Sequence, residues 1–205
     1  CDHGRLNWKY VHGEDRLGLA HVKQGGKLVP AEFDDAVAKA HSLVNKLVTT
    51  SGGDALFGLV SARYTNEEIY LANRYLRETA GTPNVDLKER TGEADDFLVV
   101  ADKNPNTKGA RLIGIGPDDG AIGLAGFAEA VKAGAIKAAV LFGEDLDDDP
   151  DALAALDALD FLVVVDYRLT ETAKKADVLL PGVTRAEKEG TIVNVDGFVS
   201  KLNVA

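Results

Sequence analysis

The chain has 205 residues, of which 45% are hydrophobic and 27% are charged, and its formal net charge is −10. These values describe an ordinary globular protein with room for a substantial core. The negative charge opposes nonspecific binding to nucleic acid or to anionic lipid, and no apolar stretch approaches the ~18 to 20 residues of a membrane-spanning helix.

The N-terminal region, residues 1–30, mixes glycines with charges and is predicted to be a loop-like arm. Cys1 is the only cysteine, which excludes an internal disulfide and fits a reducing compartment. Because the chain contains no methionine, we expect it to come from a longer translated product. A lipid anchor on Cys1 is an alternative explanation of this terminus.

The first regular elements follow Pro30. A helix is predicted over residues 31–49, because acids stand in its first turn and apolar residues repeat along one stripe. The apolar run of residues 55–61 predicts a buried strand. Thr65 and Glu68 have the spacing of a capping box, which predicts a helix from there to about Thr79. A strand, a loop and a helix in this order indicate a parallel crossover unit.

The middle of the chain is less regular. Residues 81–96 are polar and rich in turn formers, so we expect an exposed linker. Short strands are predicted over residues 97–101 and 111–116, and a helix over residues 122–133. Gly114 and Gly116 suggest a dinucleotide-binding fingerprint, but the third glycine of that pattern is missing, so the fingerprint fails.

Three further apolar runs, residues 136–142, 161–165 and 177–180, are predicted to be buried strands. A helix is predicted over residues 151–159, and Thr170 is expected to cap a short helix before the last of these strands.

Two polar segments complete the pattern. The run GEDLDDDP at residues 143–150 is expected to cap the helix that follows it, since acids favour a helix N-terminus. Asp196-Gly197 is the strongest hairpin signal in the chain.

Strands near residues 55, 97, 112, 137, 161 and 177 alternate with helices. This order predicts an α/β fold with a mainly parallel, doubly wound, Rossmann-like sheet and helices on both faces. We expect this domain to span residues 31–205.

Two segments carry a family resemblance. TETAKKADVLLP at residues 170–181 and EKEGTIVNVDG at residues 187–197 resemble conserved segments of the molybdopterin oxidoreductase family. Within that family, CDHGRLNWKYVHGEDRL, SARYTNEEIYLANRYLR and ADKNPNTKGA are most similar to the large iron–sulphur subunit of bacterial NADH:quinone oxidoreductase, respiratory complex I. The resemblance implies a reduced molybdopterin-oxidoreductase-type domain.

The resemblance also implies a role for Cys1. In the family, the cysteine of this segment is the last of four thiolates that hold a [4Fe-4S] cluster, and the other three lie upstream. We therefore expect Cys1 to be the fourth ligand in the full-length parent only, with no cluster in this fragment. A cysteine without any metal role is the alternative.

The positions at which the family contacts its pterin cofactor follow the strand ends. By resemblance, Glu67, Lys103, Gly143 and Thr170 would bind the cofactor in a working enzyme. Helix capping and a solvated turn are competing explanations. The acidic run after Gly143 is a poor host for a diphosphate, so bound molybdopterin is not expected.

Two hypotheses result. The first is a non-catalytic scaffold domain of an NADH:quinone oxidoreductase that supports electron transfer from NADH through iron–sulphur clusters to quinone. Its partners would be the other subunits, on the cytoplasmic face of the bacterial plasma membrane. The alternative is an active molybdopterin-dependent oxidoreductase, similar to formate dehydrogenase. The sequence leaves open whether the domain is itself an enzyme.

Overall fold

The computed structural model describes residues 8–204. Its strands are β1 Ala20–Gln24, β2 Lys27–Ala31, β3 Leu56–Val60, β4 Val85–Asp86, β5 Ala138–Phe142, β6 Phe161–Asp166, β7 Val178–Pro181, β8 Gly190–Val193 and β9 Val199–Leu202. Its α-helices are α1 Phe33–Ser51, α2 Asn66–Arg74, α3 Thr107–Ile113, α4 Leu124–Lys132, α5 Pro150–Ala155 and α6 Glu171–Lys174.

Seven of these strands form one sheet in the order β2-β1-β7-β6-β5-β3-β4, and β8 and β9 form a separate hairpin. The five strands β7, β6, β5, β3 and β4 run parallel to one another, whereas β1 runs antiparallel to both β7 and β2. The predicted α/β fold with a mainly parallel sheet is therefore confirmed.

Alternate strand residues point to opposite faces of the sheet, and helices cover both faces. On one face, Val140 and Val163 pack with α1 and α2 in one apolar cluster. On the other face, Leu141 and Val164 pack with α4 and α5 in a second cluster. Small residues such as Ala36 on α1 let the helix lie close to the strands, and Ala36 is completely buried.

Strand order reverses at β3, which pairs with β4 on one side and with β5 on the other. In open α/β sheets, ligands normally bind outside the carboxyl ends of the strands at such a point. The loops after Val60 and Phe142, where β3 and β5 end, therefore form the part of the fold that positions a ligand site.

Most predicted helices are confirmed. Thr65 forms the capping box with Glu68: its Oγ1 accepts from the Glu68 N–H at 3.3 Å, and the Glu68 carboxylate accepts from the Thr65 N–H at 2.8 Å. A π-helical turn, Tyr75–Thr79, continues α2 to the predicted end. The hairpin at Asp196-Gly197 joins β8 to β9 as predicted.

Two strand predictions are wrong. Residues 97–101 form no strand; Phe97 is 86% exposed, and the backbone N–H groups of residues 97–99 all donate to one carboxylate oxygen of Asp95. Residues 107–113 form α3, which ends at Gly114 in the left-handed conformation (φ 98°). The strand predicted over residues 111–116 therefore does not form. Its apolar run was too short for the spacing of the apolar residues to distinguish a strand from a helix.

Two loop predictions are also wrong in part. Residues 20–24 and 27–31 are strands β1 and β2, although a loop-like arm was predicted up to residue 30, and β1 pairs with β7 of the central sheet. Residues 81–88 are not an exposed linker, because Val85 and Leu87 are buried and β4 forms the sheet edge there. Residues 89–96 are largely exposed, as predicted.

Candidate functional site

A cavity of about 510 Å³ lies where the central parallel strands end. Its walls come from the loops after these strands: Arg63 and Tyr64 follow β3, Gly143 follows β5, Arg168 follows β6, and Arg185 follows β7. Because it lies beside the reversal of strand order, we call it the edge cavity and take it as the candidate site.

The edge cavity is cationic although the whole chain is acidic. Its lining contains five basic side chains and, among the described residues, no acidic one: Arg63, Lys103, Arg168, Arg185 and Lys188. Within residues 8–204, the side chains of Arg63 and Arg185 form no ion pair. Among residues 8–204, the cavity therefore has at least two positive charges without a carboxylate partner.

Two of the other basic groups are compensated within the protein. The Arg168 Nε lies 2.7 Å from a carboxylate oxygen of Asp15. The Lys188 Nζ lies 2.7 Å from Oε1 and 2.9 Å from Oε2 of Glu68, and Lys188 itself is 8% exposed. These ion pairs hold two lining side chains in place, and they reduce the positive charge that Arg168 and Lys188 offer to a ligand.

The Tyr64 ring fills the space above Gly143. Gly143 has φ +67°, and a Cβ added there would collide with the Cε1 atom of the Tyr64 ring. Burial raises the pKa of the Tyr64 phenol, and the nearby carboxylates of Glu68, Asp166 and Glu144 raise it further. The phenol is therefore neutral at physiological pH, and its ring is attracted to the Lys188 ammonium 4.4 Å from the ring centroid.

Asp166 lies at the end of β6 below the same loops and is 5% exposed. Burial raises its pKa to about 6, although N–H donors of Arg168 and Tyr167 act in the opposite direction. A carboxyl group with this pKa changes charge in the slightly acidic range, although Asp166 does not line the edge cavity itself.

The four predicted cofactor residues do not form one site. Lys103 and Gly143 line the edge cavity, but Glu67 lines a different surface depression with Tyr70 and Leu71. Thr170 lines neither cavity: its Oγ1 accepts from the Ala173 N–H at 3.0 Å and caps α6. The structure therefore brings only Lys103 and Gly143 together at the edge cavity, and cofactor binding at the four positions stays a prediction.

Glu67 binds the protein itself. Its carboxylate accepts from the Thr191 N–H at 2.9 Å and from the Thr191 Oγ1 at 2.8 Å. Partial burial alone would raise the pKa of Glu67, but these hydrogen bonds from Thr191 lower it overall. The pair ties α2 to β8.

Two asparagines extend this connection. Asn66 donates to the Thr191 Oγ1 at 3.0 Å, and Asn106 donates to the Asn66 Oδ1 at 3.0 Å. The Asn106 Oδ1 accepts from the Val193 N–H at 2.7 Å. Three of the segments that carry the resemblance, residues 61–77, 101–110 and 187–197, thus bind one another through a continuous polar network.

The acidic run after Gly143 is also engaged within the protein. Asp149 caps α5, as predicted, by accepting from the Ala152 N–H at 3.0 Å. Asp147 caps α6 instead, through the Glu171 and Thr172 N–H groups. Since Asp148 pairs with Lys88 outside the edge cavity, these acids do not line it.

Sequence reasoning missed Arg63, Tyr64, Arg168, Arg185 and Lys188. A signal was present for four of them, because Arg63, Tyr64, Arg168 and Arg185 closely follow the ends of predicted parallel strands, where ligand sites normally lie. Lys188 lies further along the chain and had no such signal. The position of the Tyr64 ring above Gly143 had no local signal, since it depends on how two distant loops pack.

The metal prediction concerned Cys1, which lies outside the described residues. Over residues 8–204, no three His, Cys, Asp or Glu side chains form a group that could hold a metal ion. No helix in that range is both long and apolar enough to cross a membrane.

Comparison with known proteins finds similarity to redox enzymes. Residues 107–205 match the family model described as Molybdopterin oxidoreductase. The alpha subunit of an NADPH-Fe(3+) oxidoreductase from Geobacter sulfurreducens is 36% identical over 94 residues, which are 46% of this chain and 11% of that protein. A Staphylococcus haemolyticus protein named "Putative formate dehydrogenase" is 31% identical over 123 residues, 60% of this chain and 12% of that protein.

The chain thus matches only 11% to 12% of the length of these curated relatives. Among solved structures, acetylene hydratase from Pelobacter acetylenicus is similar with a TM-score of 0.34 and 16% identity, over 84% of this chain and 22% of that chain. Similarity at this level does not establish a shared fold.

Proposed function

We propose that this chain, which carries a molybdopterin oxidoreductase family domain in residues 107–205, is a non-catalytic scaffold domain. On this proposal it belongs to the large iron–sulphur subunit of an NADH:quinone oxidoreductase. It would position clusters bound elsewhere in the subunit and would itself make and break no bonds. The relatives named as oxidoreductases support the redox context.

The observation that carries the proposal is the internal engagement of the strand-end residues. The space above Gly143, where the family resemblance would bring in the dinucleotide half of a pterin cofactor, holds the Tyr64 ring. Glu67 and Thr170 accept hydrogen bonds from within the protein. The ring therefore occupies the space that this half of the cofactor would need above Gly143, which supports the proposal.

The remaining features of the hypothesis are proposals as well. Residues 1–30 would connect to an upstream iron–sulphur domain, with Cys1 as the fourth ligand of a [4Fe-4S] cluster there. Other subunits of the complex would be its partners and would hold it at the cytoplasmic face of the bacterial membrane. The sequence of the parent gene tests this part: cysteines at cluster spacing within about 30 residues upstream of Cys1 are expected, and their absence would remove the iron–sulphur assignment.

The scaffold role is tested by cofactor content. The chain would be produced in a bacterium that makes molybdopterin, alongside a molybdenum enzyme as a positive control, and the denatured proteins would be analysed by mass spectrometry. We expect the control to release the pterin and this chain to release none. A stoichiometric pterin or guanine nucleotide from this chain would overturn the proposal.

One observation favours the alternative of a working molybdopterin enzyme. The edge cavity has about 510 Å³ and five basic lining residues at the strand ends, which suits the phosphates of a nucleotide better than the acidic sequence suggested. The same mass spectrometric comparison distinguishes this alternative from the scaffold.

A further inference from the structure

A second, apolar cavity adjoins the edge cavity. It has a volume of about 540 Å³ and lies between α1, α2 and one face of the sheet. Its walls include Val37 and Val44 of α1, Leu71 of α2, Val165 of β6 and Leu180 of β7. We call it the apolar groove. Its size lies within the roughly 300–1,000 Å³ of small-molecule sites, which are also mostly apolar.

Within residues 8–204, the groove is open to solvent. Leu71 is 61% exposed, Val183 is 46% exposed and Val37 is 39% exposed, although all three line it. Contiguous exposed apolar side chains in a concave surface indicate a binding site, because leaving them in water costs free energy.

The groove and the edge cavity share a wall. Tyr64, Gly182 and Val183 line both. Glu68 also lines the groove, but its carboxylate is compensated by Lys188, whose Nζ lies 2.7 Å away. In the part of the chain that the structure describes, the two cavities therefore have no lining carboxylate that lacks a cationic partner.

The charges of the two cavities differ sharply. The basic side chains of the edge cavity lie beyond the shared wall. Of these, Arg63 and Arg185 form no ion pair within the described residues. An apolar pocket with cations at one end only is complementary to a molecule with an apolar body and one anionic end.

We propose that the two cavities together bind a single-chain amphiphile with an anionic head, the chemistry of a fatty acid. The hydrocarbon chain lies in the apolar groove against Leu71 and Val165, it passes Val183, and the head contacts Arg63 and Arg185. This site goes beyond the scaffold role and does not depend on it.

The test compares two ligands of equal hydrocarbon length on the 205-residue protein. Dodecanoate and dodecanol, both below their aggregation concentrations, compete with a fluorescent fatty acid for the protein. We expect dodecanoate to bind about tenfold more tightly than dodecanol, because only dodecanoate brings the anionic head. Dodecyl phosphate distinguishes a phosphate from a carboxylate head, and inorganic phosphate alone measures the head without the chain.

Two sets of variants test where the head and the hydrocarbon chain of the ligand bind. Arg63→Gln/Arg185→Gln should remove the preference for dodecanoate and leave dodecanol binding unchanged, whereas Lys39→Gln/Lys46→Gln removes the same charge from exposed positions of α1 that line neither cavity. Leu71→Asp should weaken both ligands. Leu112→Asp is its control, because Leu112 is 73% exposed on α3 and lines neither cavity.

Several results would overturn the proposal. Equal affinity for dodecanoate and dodecanol, or an unchanged preference in the double arginine variant, would show that the two arginines do not bind an anionic head group. Inorganic phosphate that binds as tightly as dodecyl phosphate would leave the groove without a role. A dimer that Leu71→Asp dissociates, together with no uptake of fatty acid, would assign the groove to a second copy of the chain.

Discussion

At the scale of single residues, Tyr64 and Gly143 decide what the carboxyl edge of the sheet can hold. A glycine after a parallel strand usually leaves room for a ligand to approach the backbone. Here the room is taken by an aromatic ring from the neighbouring loop. The sequence identified Gly143 as a candidate, but it could not show which side chain lies against it, because that contact joins two segments about eighty residues apart.

The Gly143–Tyr64 contact predicts a large effect of Gly143→Ala. A left-handed alanine costs about 1–2 kcal/mol, and overpacking against the ring adds about 1–3 kcal/mol. Gly134→Ala is the control, since Gly134 has φ +73° but nothing within 4 Å of its Cβ position. In urea unfolding, Gly143→Ala should be clearly less stable than Gly134→Ala, and Tyr64→Ala should lessen the difference. Equal effects of the two alanines would mean that the ring does not fill this space.

Asp166 predicts a pH-dependent stability. Its pKa of about 6 in the folded chain lies above the value of about 3.9 in an unfolded chain. The folded state therefore holds the proton more tightly, and stability is lost as the pH rises from about 4 to about 6. Asp166→Asn keeps the Oδ1 acceptor for the Arg168 N–H, 3.1 Å away. The variant should be more stable at pH 8 by about 3 kcal/mol and equal to the parent at pH 4.

Thermal unfolding at pH 4 and pH 8 measures this difference. Asp160→Asn, at an exposed position, serves as the control and should behave alike at both pH values. An Asp166→Asn variant that is destabilised at pH 8 would show that the carboxylate is stabilising and that its raised pKa is wrong.

At the scale of elements, the loop after β5 is joined to the segment after β4 by a buried ion pair. Glu144 is 1% exposed, and its Oε2 accepts from the Arg90 Nη1 at 2.9 Å and from the Ser61 Oγ at 3.2 Å. This contact explains why residues 81–90 follow the sheet edge although their composition indicates a linker. A turn-rich composition indicates the local conformation of these residues. It cannot show that Arg90 pairs with the distant Glu144.

Arg90→Met tests that connection. It leaves the Glu144 carboxylate buried without its cation, which should destabilise the chain by about 3–5 kcal/mol in urea unfolding. Arg90→Met/Glu144→Gln should recover most of the loss, because no buried charge remains. Arg74→Met breaks an exposed pair with Glu78 and should leave the midpoint unchanged. If the double variant is as unstable as Arg90→Met alone, the buried charge is not the cause.

The same scale shows where sequence patterns were sufficient. Long apolar runs and caps predicted β3, β5, β6, β7 and the helices α1, α2, α4 and α5, because each depends on its own residues. The errors were short segments. Residues 97–101 have the composition of a strand but no neighbouring strand, and β4 has a neighbour but little strand composition. A strand requires both a suitable composition and a neighbouring strand, and only the structure shows whether a neighbouring strand is present.

At the scale of the whole molecule, the sheet keeps the architecture of a ligand-binding α/β domain. Its strand order reverses at β3, and cavities lie at the carboxyl edge. However, polar residues at the start of α2 bind other parts of the chain through the Glu67–Thr191 and Asn66–Asn106 contacts. The fold class could be predicted from alternating elements, whereas the internal use of the site residues could not, since it requires their mutual distances.

The Tyr64 ring fills the space above Gly143, so we expect this edge of the sheet not to take the dinucleotide part of a pterin cofactor. Isothermal titration with GDP, a probe for that part, tests it most directly on the wild-type chain and on Tyr64→Ala. We expect no saturable binding to the wild type tighter than about 1 mM, and measurable binding only when the ring is removed. Micromolar binding of GDP to the wild type, weakened by Arg63→Gln, would contradict the account.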